Sequence, residues 1–221
     1  MTSSVPPAAP SAVPTPDASV LDLAPVVPVV VLHDAADAVP LARALVAGGL
    51  PAIEVTLRTP AALESIRAMA AEVPGAVVGA GTVISPEHVR DTAAAGARFL
   101  VSPGWTDALL EAMKASGLPF LPGASTTSEV VALLERGVSE MKFFPAEAAG
   151  GTAYLKALSA PLPQARFCPT GGISLASAPS YLALPNVGCV GGSWMVPGDA
   201  VAAKDWDRVA RLAAEAAALA P

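Results

Sequence analysis

The sequence has no apolar run long enough to cross a membrane. Its most apolar stretch, APVVPVVVL, has nine residues and contains two prolines, whereas a membrane-spanning helix needs about 20 consecutive apolar residues. Hydrophobic residues nevertheless make up 53% of the 221 residues, which is enough for one large buried core. The composition therefore excludes a membrane-spanning helix and predicts a soluble globular protein.

Basic residues are scarce, and they form no cluster. Lys and Arg together number 13 against 19 Asp and Glu, which gives a net charge of −6. Because nucleic-acid-binding domains usually carry a basic patch, we expect no nucleic-acid partner. Small anionic ligands stay possible, since they need only one or two well-placed donors.

Residues that bind metals or form disulfides are also few. Cys168 and Cys189 lie in separate apolar runs without CxxC spacing, so we expect buried, reduced thiols in a cytoplasmic protein. The two histidines, His33 and His88, lie on different elements, and no cluster of histidines and carboxylates is present. The sequence therefore predicts no metal site.

The first 17 residues, MTSSVPPAAPSAVPTPD, are rich in Pro, Ala and Ser. They lack the basic start and apolar core of a secretory signal. They offer little surface to bury, so we predict a disordered extension over residues 1–17. Residues 18–221 are predicted to form one domain.

From about residue 25 a strand-like run followed by a segment of helical period recurs eight times, at intervals of roughly 25 residues. The runs are 26–32, 51–57, 76–83, 98–104, 119–125, 140–146, 165–173 and 187–196. This count predicts an α/β protein with a closed (β/α)8 TIM barrel. An open doubly wound sheet is disfavoured, because VLHDAAD after the first run is not a glycine fingerprint. A short helix at about 17–23 and a last helix at about 204–219 are predicted to cap the ends.

Period-2 alternation predicts which side chains point inward. In the second run Ile53, Val55 and Leu57 suit the helix-facing side, so the inner side receives Glu54 and Arg58, with Thr56 between them. In EMKFFPAE, the sixth run, Lys142 alternates with Met141 and Phe143 and is also predicted to point inward. One alternative is a structural ion pair between Glu54 and Lys142 or Arg58. Ionisable groups in an apolar interior, however, cluster at functional sites.

Lys142, one of only four lysines, has a chemical reason to be buried. Desolvation near a second cation disfavours the ammonium form, so the free amine becomes available as a nucleophile. A free amine beside a carboxylate that moves protons, here Glu54, is what imine formation with a ketone requires. The forked guanidinium of Arg58 suits a substrate carboxylate.

Two glycine-rich loops follow the seventh and eighth runs. The first contains Thr170, Gly171 and Gly172, and the second contains Gly192 and Ser193. Loops at these positions are the usual phosphate cradle of such barrels, because glycines let backbone N–H groups approach an anion. Each Gly-Gly pair alone is also compatible with a simple turn.

The motifs EVTLRTP, VGAGTV, SPG, PGASTTSE, KFFPAE, RFCPTGGI and LPNVGCVGGSW together resemble the bacterial 2-keto-3-deoxy-6-phosphogluconate (KDPG) aldolase family, also called the 4-hydroxy-2-oxoglutarate (KHG) aldolase family. The resemblance covers about residues 20–215. It implies a class I lyase of the Entner–Doudoroff route that needs no metal or cofactor and acts on 2-keto acid and sugar-phosphate substrates. It also implies a homotrimer.

The resemblance assigns roles by position. It implies that Lys142 is the Schiff-base lysine and Glu54 the proton-shuttling carboxylate. It also implies that Arg58 and Thr82 bind the substrate carboxylate. The residues that it assigns to the phosphate and hydroxyl groups of the substrate are Thr170, Gly171, Gly172, Gly192 and Ser193. The departures are peripheral: His33 ends the first run, Trp105 follows SPG, and Ala149 stands where the family has Asn.

Three alternatives remain at this point. The main substrate can be KHG or a phosphogalactonate analogue, with unchanged chemistry. A non-catalytic sugar-phosphate-binding barrel would need only the two glycine loops, and would not explain Lys142, Glu54 and Arg58. A metal-dependent class II aldolase lacks a ligand cluster in the sequence.

Overall fold

The computed structural model describes residues 19–219. The predicted extension over residues 1–17 lies outside the described residues. The strands are β1 Val26–Val30, β2 Ala52–Thr56, β3 Val77–Gly81, β4 Phe99–Val101, β5 Phe120–Leu121, β6 Gly123–Ala124, β7 Glu140–Phe143, β8 Arg166–Pro169 and β9 Val190–Gly192. The α-helices are α1 Ala38–Ala47, α2 Ala62–Glu72, α3 Pro86–Ala94, α4 Asp107–Ala115, α5 Thr127–Glu135, α6 Gly151–Ser159, α7 Ala178–Leu182, α8 Gly198–Ala202 and α9 Trp206–Ala217. Short 3-10 helices cover Val20–Asp22 and Ala35–Asp37.

All strand pairs are parallel and form two curled sheets. The six-stranded sheet has the order β5-β4-β3-β2-β1-β9, and the three-stranded sheet has the order β6-β7-β8. Isolated parallel bridges from Phe167 to Val187 and from Thr170 to Gly191 connect β8 to the region of β9. The α/β class and the parallel arrangement that the sequence predicts are therefore confirmed.

The fifth predicted run is two short strands instead of one. Pro122 separates β5 from β6 and has no backbone N–H to donate to a neighbouring strand. Its carbonyl still accepts a hydrogen bond of 3.0 Å from Lys142 N. The fifth run thus contributes one strand to each sheet.

The two faces of the sheets bury different residues. Outward-facing Ile53, Val55, Met141 and Phe143 belong to the core between the strands and the helices. The inner faces share a second, smaller cluster with two residues of the 3-10 helix, Val20 and Leu21; the other members are Val27, Ala52, Val77, Phe99, Val101, Leu121, Cys168 and Cys189. This division follows the period-2 alternation of the strands, which confirms the predicted inward and outward faces.

The N-terminal ends of the strands are covered by the 3-10 helix Val20–Asp22, where the sequence predicts a longer helix. Ser19 begins this helix, and its hydroxyl also donates to the carboxylate of Glu140 at 2.7 Å and 2.8 Å. Arg166 pairs with Asp22 at 2.6 Å and with Glu140 at 3.0 Å. The helix therefore fixes the chain at the end of the sheets opposite the loops that carry the candidate site.

Three of the helices begin directly after a residue whose side chain caps the N-terminal end of the helix. Ser85, Thr106 and Thr126 accept hydrogen bonds from the first turns of α3, α4 and α5, and Thr126 forms a capping box with Glu129. The last helix, α9, confirms the prediction of a C-terminal helix. Among residues 19–219, no helix combines the length and the apolar character needed to span a bilayer.

Candidate active site

Lys142 lies in the middle of β7, and its side chain points to the inner face of the sheets. Its neighbours in register are Gly123 on β6 and Cys168 on β8, both small enough to leave space for a long side chain. Only 4% of Lys142 is exposed, and its Nζ donates to Glu54 Oε1 at 3.1 Å. The predicted inward lysine is therefore confirmed, and it meets a carboxylate from the other sheet.

Glu54 lies in the middle of β2 and is 2% exposed. It is next to Gly79 on β3, and the end of its side chain passes over Gly81, the last residue of the same strand. A Cβ atom at position 81 would lie 2.2 Å from Glu54 Oε1 and 2.5 Å from its Cγ. Glycine at position 81 is therefore required for the carboxylate to reach Lys142.

The surroundings of Glu54 and Lys142 favour a catalytic role over a purely structural ion pair. Taking both charges out of water is unfavourable, and a buried ion pair often contributes no net stability compared with apolar residues of the same volume. The Phe144 ring lies 5.4 Å from Lys142 Nζ and supplies an apolar wall beside the amine. An amine and a carboxylate, the two groups that imine formation requires, thus share one buried space beside an aromatic ring.

Arg58 and Thr82 form a second polar pair, at the carboxyl ends of β2 and β3. Arg58 Nε donates to Thr82 Oγ1 at 3.3 Å, and Arg58 is exposed. Thr82 has a φ of 59°, an uncommon backbone conformation for a β-branched residue that tends to occur at functional sites. Within the described residues, no acceptor takes a hydrogen bond from the terminal N–H groups of the Arg58 guanidinium.

The loop after β8 holds Thr170, Gly171 and Gly172. Thr170 is 6% exposed, and φ is 107° at Gly171 and 83° at Gly172, values that favour glycine. Among residues 19–219, no acceptor takes a hydrogen bond from the N–H of Gly172. A free backbone N–H in a glycine loop is a donor that an anion can use.

Gly192 is the last residue of β9; it pairs with Pro28 of β1 and is covered by the Trp194 ring. Ser193 is exposed and lines a cavity of about 400 Å³ together with His33 and Val196. Neither Lys142 nor Glu54 lines this cavity. His33, which ends the first run of the sequence, is exposed and lines this separate cavity.

Two of the sequence departures have clear surroundings. The Arg136 guanidinium lies 4.9 Å from the centre of the Trp105 ring. Arg136 also pairs with Asp107, the first residue of α4, at 3.0 Å. Trp105 therefore packs against the charged Arg136 side chain. Ala149 is half-buried against the outer core.

Sequence reasoning missed one pair beside the glycine loops. Tyr181 on α7 is 1% exposed, and its hydroxyl donates to Glu147 Oε1 at 2.7 Å. Burial, reinforced by this hydrogen bond, raises the pKa of Tyr181. Glu147 belongs to the KFFPAE motif, but its partner lies 34 residues later, and no sequence pattern links them.

The predicted burial of the two cysteines is confirmed. Cys168 and Cys189 are buried and form no disulfide, and Cys168 lies beside Lys142 in the strand register. The hydrogen bond with Cys168 and burial raise the pKa of the Cys189 thiol. Cys189 therefore favours the protonated thiol, and both cysteines pack as small core residues.

A family model described as "Aldolase: KDPG and KHG aldolase" matches residues 18–212. The chain belongs to the KDPG and KHG aldolase family. Among its curated relatives, the KHG/KDPG aldolase of Escherichia coli K12 is 53% identical over 198 residues, covering 90% of this chain and 93% of that protein. The resemblance seen in the sequence is confirmed.

Solved structures of this family share the fold. KDPG aldolase from Legionella pneumophila, with pyruvate captured as a covalent carbinolamine intermediate, is 47% identical with a TM-score of 0.87, covering 89% of this chain and 96% of that chain. The KDPG aldolase of Zymomonas mobilis with 3-phosphoglycerate is 50% identical with a TM-score of 0.86, covering 90% and 93%.

Residues that could hold a metal ion do not come together in the part of the chain that the structure describes: over residues 19–219 there is no group of three or more His, Cys, Asp or Glu side chains. The alternative of a metal-dependent aldolase therefore has no ligand set there.

Proposed function

We propose that this protein is a class I aldolase that cleaves KDPG to pyruvate and glyceraldehyde 3-phosphate through an imine on Lys142. The observation that carries the proposal is the buried contact of 3.1 Å between Lys142 Nζ and Glu54 Oε1, in a chain of the KDPG and KHG aldolase family. A sugar-phosphate-binding barrel without activity has no use for such a pair.

The reaction begins with attack of the Lys142 amine on the C2 ketone. Glu54 first takes a proton from the Lys142 ammonium, which frees the amine. The C2–N bond forms as the C2–O π bond breaks, and a proton moves from the amine nitrogen to the ketone oxygen, which gives a carbinolamine. Glu54 then gives its proton to the carbinolamine hydroxyl, which leaves as water. A positioned acid or base of this kind typically contributes about 10²–10⁴-fold to the rate. The product is a protonated imine, which acts as an electron sink.

Bond cleavage follows from the imine. Glu54, again a carboxylate, takes the proton of the C4 hydroxyl while the C3–C4 electron pair moves toward the imine nitrogen. Glyceraldehyde 3-phosphate leaves, and an enamine of pyruvate stays on Lys142. Glu54 then returns the proton to C3, water adds to the imine, and pyruvate is released. The position of Glu54 beside the amine allows one carboxylate to serve every proton transfer.

Two further groups of residues hold the substrate in this proposal. Arg58 and Thr82 bind the carboxylate next to the ketone, which is common to all substrates of this class. The phosphate lies against the loops after β8 and β9, where Thr170, Gly171, Gly172, Gly192 and Ser193 supply hydroxyl and backbone donors. The carboxylate and phosphate contacts fix the two ends of the substrate, so that C2 lies at Lys142.

KHG is a second substrate in this proposal, cleaved to pyruvate and glyoxylate. The family description and the name of the Escherichia coli relative both include it. Its 2-keto carboxylate is the same, so Lys142, Glu54 and Arg58 act unchanged. Only the contacts of the distal group differ between the two substrates.

The finer structural expectations belong to the same proposal. The fifth run contributes one strand to each sheet, and isolated bridges connect β8 to the region of β9. These two connections between the sheets support one closed (β/α)8 barrel in the predicted domain, residues 18–221. By resemblance to the family, we propose a homotrimer. The reduced cysteines and phosphorylated substrates support a cytoplasmic location. Light scattering of the purified chain tests the trimer, and a monomer or dimer would contradict it.

The test of the proposed reaction is product formation from KDPG by the purified protein. We expect pyruvate and glyceraldehyde 3-phosphate in equal amounts, each measured by a coupled dehydrogenase assay, and pyruvate with glyoxylate from KHG. A Glu54→Gln variant should bind pyruvate but turn over slowly, because the amide moves no proton. Absence of both products from both substrates would contradict the proposal.

A further inference from the structure

Glu147 and Tyr181 lie directly beside the loop of Thr170, Gly171 and Gly172. A Cβ atom at Gly172 would lie 2.7 Å from Glu147 Cγ and 2.9 Å from its Cβ, so the stem of Glu147 packs against the loop backbone. The carboxylate end of the same side chain accepts the hydrogen bond of 2.7 Å from Tyr181. Glu147 thus touches the glycine loop at one end and α7 at the other.

Backbone contacts join the same two loops. Ala146 N donates to Thr170 O at 2.8 Å, and Glu147 N donates to Gly171 O at 3.1 Å. Gly171 and Gly172 both have positive φ, which glycine adopts without strain, so these contacts help to select this shape of the loop from the several that its glycines allow. The loop after β7, which begins two residues beyond Lys142, therefore supports the loop after β8.

The mechanism uses neither Glu147 nor Tyr181, although the geometry links both to the anion donors. The free N–H group of Gly172 serves an anion well only when the loop holds it in place before the anion binds. A buried tyrosine that orients an exposed carboxylate fixes the side chain on which the loop rests.

We propose that Glu147, held by Tyr181, is a positioning residue that preorganises the loop of Thr170, Gly171 and Gly172 for the phosphate of the substrate. This proposal rests on the proposed function, because it takes this loop as the phosphate site. Neither residue touches the reacting carbons. Loss of the pair therefore weakens binding of the phosphate and leaves imine formation at Lys142 unchanged.

Three variants isolate the effect. Glu147→Gln and Glu147→Ala both remove the charge, but glutamine keeps an acceptor for Tyr181 and the stem that supports Gly172. Tyr181→Phe keeps the charge and removes the hydrogen bond. The probe is 3-phosphoglycerate, whose dissociation constant is measured by calorimetry. The second readout is reductive trapping of pyruvate, which has no phosphate.

We expect Glu147→Ala and Tyr181→Phe to weaken 3-phosphoglycerate binding on the order of tenfold, the effect of losing one hydrogen bond to a charged group. The dissociation constant of Glu147→Gln for 3-phosphoglycerate should lie within about twofold of the wild-type value, so that glutamine at position 147 restores the affinity that alanine loses. KM for KDPG should rise in parallel, while kcat, KM for KHG and the rate of pyruvate trapping stay within about twofold.

Equal losses for KDPG and KHG, or equal affinities of Glu147→Gln and Glu147→Ala, would overturn the positioning role and indicate general destabilisation or no effect. If Tyr181→Phe does not fold, the comparison of glutamine with alanine at position 147 decides alone. Failure of the wild type to bind 3-phosphoglycerate also overturns the inference. Binding of 3-phosphoglycerate without trapping of pyruvate would instead overturn the proposed function and leave the loop support in place.

Discussion

Replacement of Gly81 by alanine should disable the enzyme, although residue 81 is not assigned any contact with the substrate. The added Cβ would lie 2.2 Å from Glu54 Oε1, 2.5 Å from Cγ and 2.7 Å from Cδ, far inside ordinary van der Waals contact. Gly81 is a strand residue without positive φ, so alanine suits its backbone. The clash with Glu54 is therefore the main consequence, and Glu54 must move away from Lys142.

The magnitude follows from what the displaced carboxylate does. Overpacking a buried site typically destabilises by about 1–3 kcal/mol, and we expect the free energy of unfolding to fall by this amount. The rate effect is larger, because the carboxylate leaves its position 3.1 Å from the amine. Loss of a positioned acid–base group should lower kcat for KDPG by about 10²–10⁴-fold.

The assays are kcat for KDPG cleavage and urea denaturation, with Gly198→Ala as the matched control. A Cβ at Gly198 would meet no atom within 4 Å, so that variant should keep kcat and stability. In a Glu54→Ala background, Gly81→Ala should lose much less stability, because the side-chain atoms that it strikes are absent. Wild-type kcat in a folded Gly81→Ala variant would refute this reasoning.

The remaining predictions concern binding and metals. Arg58→Ala should raise KM for KDPG and KHG alike, by roughly 10- to 100-fold, because both present the same 2-keto carboxylate; an effect on one substrate only would contradict the assigned contact. Ser193→Asp should lower kcat/KM for KDPG by roughly 10- to 100-fold and affect KHG less, since the new charge repels the phosphate at an exposed, partly screened position; equal losses would show that Ser193 does not face the phosphate. Activity should survive prolonged EDTA treatment, and a loss restored by zinc or magnesium would indicate a metal-dependent mechanism.

The central pair could be predicted from the sequence because strand alternation decides which face a side chain occupies. Ile53 and Val55 must face the helices, so Glu54 must face inward, and the same reasoning places Lys142. Alternation does not say which inward residues touch. The contact between Glu54 and Lys142 joins residues 88 positions apart, and its distance could be known only from the folded chain.

Loop contacts were beyond sequence reasoning for a physical reason. The position of Glu147 is set by Tyr181 and by the backbone of Gly172, and loops have no periodicity that fixes partners. The break at Pro122 was also missed, because a proline in an apolar run is compatible with the edge of a strand. The role of Thr82 followed only from the family resemblance, and its hydrogen bond with Arg58 was not predicted.

The most direct test of the central claim is reductive trapping with pyruvate and borohydride, followed by proteolysis and mass spectrometry. An imine on Lys142 predicts a single three-carbon adduct, on the peptide that contains this residue. The variant Lys142→Arg should fold and give no adduct, because a guanidinium stays protonated and cannot form the imine. The account is contradicted if the wild type gives no adduct, or if the adduct lies on one of the other lysines: Lys114, Lys156 or Lys204.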